Sequence, residues 1–184
     1  MRRRLLLGLV VLLTGCAPLV DGKFSDIEVT RPDIFVPPLT TATQPSVTFT
    51  FTIDSSPFGA SANPDVQDGI VAVKLHRMAL TAKSGITDVS FIQSLHALGC
   101  IPIGKNTTQS VRQVELADYQ REFELPPSKT FEVPIPEPVD ILPLLRPTST
   151  EPRRILVIVN LGGQLPTSEW KADVSLSLSL EIRQ

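Results

Sequence analysis

The chain is poor in the residues that most often carry chemistry. Its 184 residues include two cysteines, two histidines, one tryptophan and one tyrosine. Zinc centres use three or four Cys, His or carboxylate ligands, usually at recognisable spacings, and no such spacing is present. One Trp and one Tyr make a poor platform for a sugar, because the eight Phe are needed to fill a core. The sequence has no G-x-S-x-G elbow, no H-E-x-x-H, no P-loop and no G-x-G-x-x-G. No catalytic, cofactor-binding or metal-ligating residue is therefore assigned, and no enzymatic activity is expected. The longest aliphatic run, Leu5 to Leu13, is nine residues, less than half of the ~20 that a membrane span needs.

That run has its own meaning. Arg2, Arg3 and Arg4 precede it and Leu13-Thr14-Gly15-Cys16 closes it, the charge, length and small-residue ending of an export signal. The ending resembles the lipobox of bacterial lipoproteins: an aliphatic residue, two small ones, then Cys. The resemblance implies cleavage between Gly15 and Cys16, with a diacylglycerol on the Cys16 thiol and usually an acyl chain on its new amino group. Two or three chains hold a bilayer stably where one holds it marginally. In enteric-type bacteria an Asp after the Cys retains a lipoprotein in the inner membrane, so Ala17 implies the outer membrane. The expected division is a signal peptide over 1–15, a lipidated Cys and short tether over 16–23, and one domain over 24–184.

Removing residues 1–15 takes three arginines away. Fourteen Lys and Arg then face 19 Asp and Glu, a net charge of −5. No basic cluster remains to track phosphates, so nucleic acid is excluded as a partner. Cys100 becomes the only other thiol, which excludes an intramolecular disulfide. Proline is abundant, at 17 residues, and concentrated in 125–152. Since proline cannot donate to a central ladder, this stretch reads as an ordered connection along a sandwich edge rather than a P-x-x-P recognition peptide.

Period-two alternation predicts the fold. Val47, Phe49, Phe51 and Ile53 alternate with threonines in SVTFTFTID (46–54). Val174, Leu176, Leu178, Leu180 and Ile182 alternate with polar residues in 172–183. Each pattern buries one face of an antiparallel strand. Further strands are expected over 70–81, with a bulge near His76-Arg77 that switches the apolar face, and over 95–103, 111–116 and 130–133. RILVIVNL (154–161) reads as a central strand buried on both faces, and 27–29 as a weaker one. Turns are expected at 57–69, 83–85, 104–106 and 162–169. Short helices are expected over 87–94, capped by Asp88, and over 139–145. Seven or eight such strands predict a two-layer antiparallel β-sandwich, immunoglobulin-like or Greek-key, with Trp170 sealing one end.

The stretches TAKSGITDVSFIQSL (81–95) and LGGQLPTSEWKADVSLSLSL (161–180) resemble small uncharacterised lipoproteins of Gram-negative bacteria, a resemblance that implies no activity. Two constellations offer side chains that could ligate a metal. His96 and Cys100, four apart on one strand, share a face, and His76 would have to join them from another strand; Cys100 reads instead as a small, buried, inert core residue. Asp54, Asn63, Asp65 and Asp68 offer oxygen donors but lack the fixed alternation of calcium loops. The sequon Asn106-Thr107-Thr108 has little meaning in a bacterial chain. The reading is an outer-membrane lipoprotein with a structural or protein-interaction role, its partners the membrane, through Cys16, and an envelope protein nearby. The alternative is a lipid-anchored module for a small ligand or polysaccharide.

Overall fold

Along β8 (Trp170–Ile182), Trp170, Ala172, Val174, Leu176 and Leu178 are buried, while Lys171, Asp173, Ser175 and Ser177 between them reach solvent. The same parity governs β2 (Ser46–Asp54), where Val47, Phe49, Phe51 and Ile53 are buried and Thr48, Thr50 and Thr52 exposed. Two such one-sided sheets are stable only face to face. The computed structural model describes residues 22–39, 46–54, 70–103, 106–123, 126–145 and 154–182. The remaining elements are β1 (Gly22–Val36), β3 (Ile70–Ser84), β4 (Ile92–Ile103), β5 (Asn106–Gln120), β6 (Thr130–Asp140), a single helical turn α1 (Leu142–Leu145) and β7 (Arg154–Gly163).

The strands form two four-stranded antiparallel sheets, ordered β1-β8-β3-β6 and β2-β7-β4-β5. Every connection crosses between the sheets except the β4–β5 hairpin. This order is that of a jelly roll, two Greek keys folded into a sandwich. It belongs to the Greek-key side of the expectation; an immunoglobulin domain would order its strands differently. Between the sheets, Val73, Leu75, Met78 and Leu80 of β3 belong to the same cluster as Leu95 and Ala97 of β4 and Val157, Val159 and Leu161 of β7, all at or near zero exposure. Each large side chain so buried contributes roughly 1.5–3 kcal/mol.

Several expected features are present. The pairing of β3 shifts register between Leu75 and Arg77 on both of its sides, so His76 is the bulge that turns the apolar face. β7 lies between β2 and β4; its second face is covered at Leu156 and half-covered at Ile158 and Asn160. Trp170 seals one end, 2% exposed and edge-on to Phe91 at 6.0 Å. α1 lies within the expected 139–145. Its Leu144 sits where a side chain on Gly99 would be, 2.8 Å from an ideal Cβ.

Others differ. No helix forms over 87–94. The Asp88 carboxylate accepts from Ser90, two residues on, and also from Ser128 on another loop, so it fixes a turn, and β4 begins at Ile92 because Ile92 and Leu95 are needed in the core. β1 runs from Gly22 rather than over 27–29, held along its length by β8; it therefore opens before Phe24, the expected start of the domain. β5 and β6 are longer than expected. β6 runs through Pro134, Pro136 and Pro138 to Asp140, which an edge strand permits. The expected turn over 57–69 lies outside the described residues.

Leu178, 1% exposed, and Ser177, its half-buried neighbour on the outer face, test this assignment of faces. Leu178→Asp should cost several kcal/mol in chemical denaturation, the penalty of an unpaired charge in the core. Ser177→Asp should be near neutral, because Arg77 already donates to Ser177 at 3.1 and 3.2 Å. Equal losses would contradict the face assignment.

Candidate functional site

The two ends of the sandwich are unlike. At one lie Gly22, the first residue of β1, Ile70, the first of β3, and their common partner Ile182 near the chain's end. At the other, four connections gather: β1–β2, β3–β4, β5–β6 and β7–β8. Their described portions are tied to one another by backbone bonds. Ala82 donates to Lys129 and Val89 to Ser128, both at 2.8 Å; Arg121 donates to Gln93, Gln164 to Phe91 and Leu39 to Pro166.

Asp88 is the centre of this bracing. One carboxylate oxygen accepts the Ser90 and Ser128 amides at 2.8 and 3.0 Å, and the other the Ser90 hydroxyl at 2.8 Å. The Ser90 amide first, then the Ser128 amide, hold its carboxyl below the ordinary Asp range. Arg121 of the third connection donates to the Ser90 carbonyl at 2.5 Å. Two glycines permit the close approach. Gly85, at φ +88°, lies against the Glu169 carbonyl and Trp170; Gly163, at φ +134°, would bring a Cβ within 2.2 Å of the Phe91 carbonyl. Both conformations suit glycine and strain other residues. The stretches 81–95 and 161–180 meet here. From this framework Phe123 projects, 77% exposed.

A second feature is a cleft of about 360 Å³ where the edges of β5 and β6 diverge. Leu116, Ile135 and Val139 line it with Pro134 and Pro136, and Glu115, Asp118 and Glu137 supply carboxylates. On the outer face of the first sheet, Lys83 bridges Asp33 and Asp173, at 3.4 Å from each. Desolvation is the largest single influence and opposes its charge, but Asp173 and Asp33 together outweigh it and hold the ammonium above the usual Lys value.

The structure separates the candidate metal ligands. His96 and Cys100 share the outer face of β4, His96 beside Glu115 at 3.4 Å. His76 lies in the other sheet, 2.6 Å from the Ser179 hydroxyl. Among the described residues no group of three or more His, Cys, Asp or Glu side chains converges as a metal site. Cys100 is 2% exposed and in no disulfide, on the face of β4 that pairs Leu156 rather than in the inter-sheet cluster. Gly15, Cys16, Asn63, Asp65, Asp68 and the side chain of Asp54 lie outside the described residues. Sequence reasoning missed the role of Asp88 between loops and of Arg121; the Asp-x-Ser of an Asx turn was the available signal for the first.

No family model matches the chain, and comparison with curated proteins gives no match. Among solved structures, a decameric BFDV capsid protein is similar at 14% identity and a TM-score of 0.40, over 89% of this chain and all of that one. The 60-mer of the BFDV capsid protein gives 13% and 0.36, over 89% and 95%. An infectious bursal disease virus structure, Gt strain, gives 12% and 0.32, over 90% of this chain and 32% of that one. Values this low establish no kinship, and nothing of those assemblies carries over.

Two predictions belong to this end. Folded Asp88 binds its proton less tightly than the unfolded chain does. Its contribution to stability is therefore complete above about pH 4 and is lost as pH falls through its folded-state pKa. Asp88→Asn should lower the thermal midpoint at pH 7 and differ less from wild type at pH 3; an equal gap at both would contradict this. Gly163→Ala should destabilise by roughly 1–3 kcal/mol through backbone strain, measured by denaturant unfolding, whereas Gly162→Ala, one residue earlier, lacks that conformational penalty.

Proposed function

We propose that the chain is an outer-membrane-anchored lipoprotein, cleaved between Gly15 and Cys16 and held by lipid on Cys16. In this reading its β-sandwich has a non-enzymatic, protein-contacting role in the cell envelope. The observation that carries the reading is the contrast between the two ends. The chain enters the fold at Gly22, while the braced loops and the exposed Phe123 gather at the opposite end. A strand of 15 residues, such as β3, separates them by on the order of 45–50 Å. A tether attached at the first end leaves the second free for a protein.

The tether is short. Five residues, Ala17 to Asp21, lie between Cys16 and β1, and fully extended they reach less than about 20 Å. The domain then rides near the headgroups, and the partner is an envelope protein close to the same membrane. The net charge of −5 gives no attraction to an anionic surface, so the lipid does the holding. The carboxylate-bearing cleft between β5 and β6 supports the second reading, a lipid-anchored ligand module. Its lining has no aromatic side chain and suits a cationic ligand better than a polysaccharide.

Metabolic labelling with a fatty acid should mark the wild-type protein and leave Cys16→Ser unlabelled; label retained in the variant would remove the anchor. A photo-crosslinking residue at position 123 should capture one envelope protein that the same residue at 71, near the other end, does not. Capture at neither position would remove the protein-contact reading and leave the cleft as the stronger candidate.

A further inference from the structure

Each sheet has two edge strands, and three of the four carry features that discourage pairing with another chain. β1 breaks register twice against β8 and contains Pro32 followed by Asp33 at φ 57°. β5 breaks register three times against β4 and exposes Glu115 and Asp118. β6 has Pro134, Pro136 and Pro138, three positions without an N–H to donate. β2 has none of these features. It pairs with β7 through nine consecutive residues without a shift, and contains no Pro, no Gly and no charge before Asp54. Among the described residues it pairs with β7 alone, and its outward Thr48, Thr50 and Thr52 are exposed. An edge that is regular, neutral and rich in β-branched and aromatic residues is a template for a further strand.

We infer that the strand it receives is β2 of a second copy, paired antiparallel about a two-fold axis through Thr50. That register sets Thr50 against Thr50, Thr48 against Thr52, Val47 against Ile53, Phe49 against Phe51 and Ser46 against Asp54. No like charges face each other, and threonine and aromatic cross-strand pairs are among the favourable ones. Self-pairing of β5 or β6 would instead bring carboxylates of the two copies together. The chain is net acidic with or without residues 1–15, so two copies repel one another, and β2 is the edge where that repulsion is least. The contact is isologous, as in most dimers, and joins the second sheets into one of eight strands, two sets of four. It leaves the braced loop ends free at the two tips. The inference does not depend on the anchor or on the proposed partner.

Thr50→Cys in the full-length chain, expressed in cells, tests the register directly. After oxidation it should give a band at twice the chain mass on a non-reducing gel, absent from the parent with its native cysteines. Thr48→Cys alone should link about tenfold less, because its own mate lies four positions off register, about 13 Å away. The Thr48→Cys/Thr52→Cys double variant should restore the band. Purified full-length protein in detergent should sediment with two copies, and Thr50→Lys with one, at an unchanged circular dichroism spectrum. No double-mass band from Thr50→Cys, equal linking from Thr48→Cys, a link to a different protein, or a one-copy wild type would each overturn the inference.

Discussion

Strand parity is the constraint on which the molecule rests. Because successive side chains point to opposite faces, Val174, Leu176 and Leu178 share a face of β8 only if nothing shifts the count by one. The same holds for Val157, Val159 and Leu161 on β7. Where the apolar residues of a strand do fall out of step, the backbone inserts a residue. His76 is such an insertion, and without it Leu75 and Met78 could not both face the core. α1 and Gly99 serve the same packing, since Leu144 enters the core over a position kept bare.

The fold was legible where burial is one-sided and regular. β2 and β8 announce themselves by alternation, and β7 by its aliphatic run. β1 and β6 were only partly legible, for opposite reasons. β1 is defined by pairing with β8, so its own residues carry little of the signal. In β6 three prolines argue against a strand until the edge position is known. The helix expected over 87–94 failed because Asp88 can cap a helix or fix a turn, and Ser128, 40 residues away, decides between them. No local pattern contains that information.

The candidate site was less legible than the fold. Nothing in the stretches 81–95 and 161–180 themselves shows that Gly85 lies against Trp170 or Gly163 against Phe91. Those contacts exist because successive strands cross between sheets, which places loops distant in sequence at one end. His76, His96 and Cys100 show the converse: residues that a search for ligands would group are set apart by the same crossings.

The strand order also governs when this protein can fold. β8, the last of the described strands, lies between β1 and β3 and supplies the only described pairing partner of β1, from Gly22↔Ile182 to Val36↔Trp170. A chain emerging from its N-terminus therefore makes β1 first and cannot pair it until some 130 residues later, as the span from Val36 to Trp170 requires. Contacts of such long sequence separation form slowly, since loop-closure entropy must be met before they stabilise anything. Until β8 arrives, β1 has no described partner, although β3 can already pair with β6, and the unpaired strand is exposed to aggregation. The β3–β6 half of the first sheet can form earlier, and β1 joins it only when β8 does.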